Sequence, residues 1–161
     1  MRFALSQTLD CPAGTLTSAV RQPGLLHYVA APLIRFQPAP GTEVGVEWAE
    51  RTYWFRMQLF GILPIGRQAV CVTMAQTDNR FTLHDAGHSP LISTWDHHIT
   101  VEPQGDASTF YEDRVEIDAG VLTPLVWLFA RLFFAHRQRR LRQLVRNDFV
   151  GLRANTETPG D

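Results

Sequence analysis

A chain of 161 residues, 45% hydrophobic and 19% charged, is long enough to bury a sizeable core and too apolar to stay disordered. Its formal net charge of -1 gives no global attraction to nucleic acid or anionic membrane, so such affinity would have to come from a local cluster. Two cysteines, Cys11 and Cys71, make neither a disulfide framework nor a zinc site and predict reduced thiols in a cytoplasmic protein. The first ten residues lack the apolar core of a signal peptide. Arg131 interrupts the most apolar run, residues 121–135, which falls short of the roughly 20 residues a membrane span needs.

In chain order, Phe3, Leu5 and Leu9 between polar neighbours predict a strand over residues 2–9, with a break in the alternation at Gln7. Two short helical pieces follow, CPAGTLTSAVRQ and PGLLHYVA, the second opened by Pro23 and ended by Pro32. From residue 33 to 118 strands alternate with turn signals about every ten residues. The expected strands are 33–37, 43–50, 52–60, 66–76, 80–85, 93–102 and 108–118. Connections this short favour an antiparallel meander. In strand 66–76 either Ala69, Cys71 and Thr73 or Val70, Val72 and Met74 suit the inner face.

Residues 123–150 contain no glycine and no proline after Pro124, and read as one long helix with Thr123 as N-cap and Gly151 as stop. Leu122, Leu125, Val126, Phe129, Leu132, Phe133, His136 and Leu144 fall on one side, the face expected to be buried. The second half carries Arg137, Arg139, Arg140, Arg142 and Arg146, read as the solvent side of a basic tail. Residues 1–150 therefore read as one domain and residues 151–161 as a flexible tail. The fold class is α+β, a curved antiparallel sheet of six to seven strands closing on the C-terminal helix.

The chain resembles the START-like (SRPBCC) superfamily of helix-grip folds, whose bacterial members are often described as polyketide cyclases or ligand-binding proteins. The likeness lies in Leu59–Pro64 (LFGILP), Trp95 with His97, Val101–Pro103 (VEP) and Asp113–Ile117 (DRVEI), and covers nearly the whole chain. It implies an apolar cavity between sheet and helix holding a lipid, polyketide or other hydrophobic small molecule. Trp48, Tyr53, Phe55, Met57, Met74 and Trp95 on the strands, with Phe129 and Phe133 on the helix, are its candidate lining, although an ordinary core has the same composition.

In the last hairpin, a turn centred near Gly105 sets His97 opposite Asp113, and a slip of two residues leaves both on the inner face without opposing them. Burial and a carboxylate partner push the imidazole in opposite directions, which leaves its charge open. The pair reads as a register-fixing hydrogen bond, a polar anchor for a ligand head group, or, in a cyclase or dehydratase, an acid–base pair with Tyr53 or Tyr111 nearby. His84, His88, His97 and His98 with Asp85 and Asp96 resemble a metal cluster, but adjacent His97 and His98 point to opposite faces and the spacing fits no zinc signature. No metal and no cofactor are expected. No nucleophile motif, phosphate loop or dinucleotide fingerprint occurs. The expected partner is a hydrophobic small molecule and not nucleic acid; Trp127 and Leu128 are candidates for transient membrane contact or a homodimer.

Overall fold

The computed structural model describes residues 1–153. Strand β1 (Arg2–Leu9) is followed by two short helices, α1 (Ala13–Val20) and α2 (Pro23–Ala30). Six strands come next: β2 (Ile34–Pro38), β3 (Thr52–Leu59), β4 (Leu63–Thr77), β5 (Arg80–Gly87), β6 (Thr94–Pro103) and β7 (Thr109–Asp118). A single 3-10 turn at Gly120–Leu122 leads into the long helix α3 (Thr123–Arg146), and a last turn, α4 (Val150–Arg153), closes the described chain. All seven strands form one antiparallel sheet in the order β1-β7-β6-β5-β4-β3-β2, so the strand that opens the chain pairs with the one that ends the meander. This is the helix-grip arrangement expected from the sequence.

Residues 43–50 do not form the expected strand. They belong to a long loop between β2 and β3, pinned by the Tyr53 hydroxyl, which accepts from the Ala49 amide at 2.8 Å, and by the Trp48 amide, which donates to the Arg21 carbonyl at 2.8 Å. The loop drives the Trp48 ring against Tyr53 and Phe55, with centroids 4.9 and 6.3 Å apart. Burial of one indole decides the path here over β-propensity.

β4 changes partners along its length. Residues up to Cys71 pair with β3 and residues from Val72 onward pair with β5, which bends the strand around the core. The Cys71 amide donates to the Asp85 carboxyl at 2.7 Å instead of to a neighbouring strand's backbone. Val70 and Val72 face the inner cavity and Ala69, Cys71 and Thr73 do not, which settles the parity of this strand. Gly87 lies beside the bend, where a Cβ would stand 2.5 Å from the Ala69 carbonyl oxygen, so the close approach of β5 to β4 requires glycine.

The long helix differs from its expected form at both ends and in its buried face. Leu122, not Thr123, is the N-cap; the Thr123 hydroxyl donates to the Gly120 carbonyl at 2.7 Å and accepts from the Ala119 amide at 2.8 Å. The stop is not Gly151 but the left-handed pair Asp148 and Phe149, with φ of 50° and 59°; Gly151 lies inside α4 and Leu152 is buried. The rest of the expected tail lies outside the described residues.

The buried stripe is Ala130, Phe133, Phe134, Arg137, Gln138, Leu141, Leu144 and Val145. Leu125 and Leu132, assigned to the core face from the sequence, are 68% and 64% exposed, whereas Arg137 is 8% exposed. Part of the apolar first half, around Leu125 and Leu132, stays off the core, and the basic half packs closely through Arg137, Gln138 and Leu141. Trp127 is turned inward as well, its indole N–H donating to the Arg2 carbonyl at 3.1 Å and its ring edge-on to Phe3, which leaves Leu128 alone of that pair more than half exposed.

Phe134 is the pivot of this packing: fully buried, it meets the rings of Phe3, Trp95, His97 and Phe133 at 4.7 to 6.0 Å. Phe134→Ala is expected to cost about 3–5 kcal/mol of unfolding free energy, checked by urea denaturation, because transfer and cavity costs add at a site ringed by rigid aromatics.

Candidate functional site

The first half of α3 stands away from the sheet over a cavity of about 500 Å³, within the range of small-molecule sites. The enclosing side chains are chiefly aliphatic and aromatic; the polar ones are Gln22, Gln68, Asp85, Ser89, His97 and Arg137. Leu91, Leu122, Leu125 and Phe129 are lining residues that also reach the surface, and they mark the mouth. Gln68, Asp85, His97 and Arg137 are all buried and form a polar floor beneath apolar walls.

Of the residues singled out from the sequence, Trp48, Met57, Trp95, His97, Phe129 and Phe133 line the cavity. Tyr53 and Phe55 face the same side of the sheet but are consumed by packing around Trp48, and Met74 lies half-buried against the core further along β4. Tyr111 and Asp113 sit behind the floor and do not touch the cavity.

The hairpin register is two residues off the expected one: His97 opposes Val115, and Asp113 opposes Ile99. The turn is centred beyond Gly105, where the Gln104 amide donates to the Ser108 carbonyl at 2.8 Å. His97 and Asp113 become diagonal neighbours on the inner face and still meet, His97 Nε2 lying 2.8 Å from Asp113 Oδ1. The same carboxylate accepts from the Tyr111 hydroxyl at 3.0 Å and from Gln138 Nε2 at 3.3 Å, with the Arg137 guanidinium 3.9 Å away.

Burial opposes ionisation of Asp113, but the His97 hydrogen bond, the Arg137 charge and the Gln138 amide outweigh it and hold its carboxyl below the ordinary range. Burial likewise lowers His97 despite Asp113, so the imidazole is neutral. With Nε2–H given to Asp113, the lone pair of Nδ1 is left as an acceptor. Burial, then the neighbouring Asp113 charge, raises the Tyr111 phenol well above its usual value and keeps it a donor.

Asp85 was missed as a cavity residue. It faces His97 directly across the β5–β6 ladder, and its Oδ1 accepts the Cys71 amide at 2.7 Å. Among the described residues no other hydrogen bond reaches it. Burial pushes its carboxyl from 3.8 up to about 7, against the opposing pull of the Cys71 amide and the Arg137 charge. The signal was present in the alternation Phe81, Leu83, Asp85, which puts a carboxyl on the apolar face of β5. Arg137, also missed, follows Ala130, Phe133 and Phe134 at helical spacing on the buried stripe and stacks over the Phe134 ring at 4.7 Å. Gln68 shares the parity of Val70 and Val72.

The chain belongs to a family of unknown function. Its residues 31–145 match the model described as domain of unknown function DUF8410. No curated protein matches the sequence. Among solved structures, a START superfamily protein from Mycobacterium smegmatis is 16% identical, with 91% of this chain and 97% of that one covered at a TM-score of 0.59. Norcoclaurine synthase from Thalictrum flavum, truncated, is 12% identical over 90% of this chain and 92% of that one, with a TM-score of 0.62. The same synthase in complex with dopamine and hydroxybenzaldehyde is 12% identical over 91% and 87%, again at 0.62. The fold is START-like, and no helix among the described residues is long and apolar enough to cross a membrane.

Between about pH 4 and pH 7 the unfolded chain has released the Asp85 proton while the folded chain still holds it, so stability falls as pH rises through this window. The slope from this one group approaches about 1.4 kcal/mol per pH unit. Asp85→Asn keeps an acceptor for the Cys71 amide and has no proton to lose. Urea denaturation across that window is expected to show the variant gaining on the wild type with each step upward in pH, with no further gain above the folded-state value.

Proposed function

We propose that this protein binds one hydrophobic small molecule in the cavity beneath α3, with the molecule's polar end inward against Asp85, His97 and Arg137. The supporting observation is the contrast between an apolar mouth and a buried floor whose groups keep unused hydrogen-bonding capacity. Apolar walls favour a lipid, polyketide or aromatic body, and an unspent carboxyl and imidazole favour a head group that both donates and accepts. A START-like neighbour that holds dopamine and hydroxybenzaldehyde, both aromatic, is consistent with this ligand class. Because α1, α2, strands β2 to β6 and α3 all line this cavity, residues 1–150 act as a single ligand-binding domain. The exposed leucines at the mouth are the route by which such a molecule enters.

Asp85 favours a second reading. A buried carboxyl that changes charge near neutrality, beside a neutral imidazole, is suited to moving a proton on a bound substrate, as in a polyketide cyclase or dehydratase.

Val70→Trp projects an indole into the cavity and separates occupied from unoccupied states. Native mass spectrometry of the purified protein, followed by titration with a fluorescent fatty acid and an aromatic probe, is expected to show one bound molecule in the wild type. The folded variant should bind at least about tenfold more weakly, since the indole removes the contacts of several methylenes. Equal affinity in the two proteins would rule out the cavity as the binding site. Turnover of a polyketide-like substrate that is abolished by Asp85→Asn, with the cavity still filling, would establish the enzymatic reading.

A further inference from the structure

We propose that the outer face of the sheet, opposite the cavity, carries a site for one divalent transition-metal ion held by His84, Asp96 and His98. Successive side chains of a strand point to opposite faces, so the inward turn of His97 sends Asp96 and His98 outward together. His98 is the direct cross-strand partner of His84, and Asp96 lies two residues back on the same face. The three therefore converge from two paired strands of a rigid sheet.

The donor atoms of the three residues already converge. The two imidazoles are parallel within 6° at 4.1 Å and direct both Nε2 atoms at one oxygen, Asp96 Oδ1, at 2.5 and 3.2 Å. One donor atom from each residue lies within 4.8 Å of the others. Donors bound to one zinc ion, each about 2.0–2.1 Å from it, stand roughly 3.0–3.5 Å apart, so side-chain rotation alone closes the site.

The surroundings do not compete for these donors. Arg2, Arg80 and Arg114 flank the site around an adjoining hollow, but each is paired with a glutamate: Glu116 at 2.8 Å, Glu102 at 2.5 Å and Glu112 at 3.0 Å. Asp96 is left to the histidines. Two imidazoles and one carboxylate select zinc, copper or nickel over magnesium and calcium, and three protein ligands leave a coordination position open to solvent. The grouped histidines His84, His97 and His98 mix both faces of the sheet, which is why their spacing matches no linear signature.

Isothermal titration calorimetry of the full chain with zinc chloride, in chelator-free buffer near neutral pH, tests the site. One saturable equivalent is expected, weakened about 100-fold or more by His84→Ala or His98→Ala, since losing a ligand costs at least as much as losing an outer-shell partner. His88→Ala, altering an exposed histidine elsewhere, should bind as the wild type does, and magnesium chloride should give no binding. The side chains of His84 and His98 are about one-third exposed, so both variants should fold, as circular dichroism would verify. Copper(II) electron paramagnetic resonance on the unaltered protein gives a reading that needs no variant: two nitrogen donors are expected. Failure to saturate with zinc, binding that survives both histidine substitutions, or a copper spectrum with oxygen donors only would overturn the site.

Discussion

The Asp113 carboxylate, fully buried, is the group on which the rest of the structure hangs. An unpaired carboxylate at that depth would cost several kcal/mol, so the chain must bring donors to it. His97 comes from β6, Tyr111 from its own strand, and Gln138 and Arg137 from α3. Gln138 also donates to the Leu5 carbonyl and accepts from Gln7 through its own carbonyl, which ties β1 into the same knot. These bonds fasten the second half of α3 to the sheet. The first half meets the sheet only at the β1 edge, where Trp127 donates to the Arg2 carbonyl, and leaves the space beneath its other side unfilled.

Two buried carboxyls on the inner face consequently differ in kind. Asp113 has three hydrogen-bond donors and a guanidinium around it and stays ionised; Asp85 has one backbone amide and is held near its own midpoint at about neutral pH. The difference lies in the number of donors rather than in depth, and it separates a structural carboxylate from one able to respond to whatever enters the cavity. Arg137 links them, since its charge acts on both. Gly87 lets β5 approach β4 closely enough for Asp85 to complete the bend at Cys71. The carboxyl that faces the cavity is thus also part of the sheet's own hydrogen bonding.

Most of the fold was legible because alternation and turn chemistry are local signals. β1, the two short helices, the five strands after β2 and the long helix all form within a few residues of their expected bounds. Residues 43–50 misled because alternation reports only that every second side chain is buried; Trp48 and Val44 achieve that from a loop anchored by Tyr53. The site was legible in part. Inner-face parity brought His97 and Asp113 together whether or not the register was right, since a slip of two residues preserves the face. Arg137 and Asp85 were hidden by a rule sound on average, that charged residues lie outside; both occupy apolar positions in their own periodicities. Which half of α3 would pack could not be read from hydrophobicity, because the apolar half lines a cavity and the basic half has a buried carboxylate to meet.

The raised Asp85 carboxyl follows from its burial beside a cavity with apolar walls. Carbon-13 NMR titration of the aspartate carboxyls in the folded protein, with the Asp85 signal assigned by its disappearance in Asp85→Asn, measures this directly. The Asp85 carboxyl is expected to titrate at about 7 and to shift when a hydrophobic molecule is bound, while Asp113 remains ionised throughout that range. An Asp85 signal that titrates near 3.8, as for a solvated carboxyl, would contradict it.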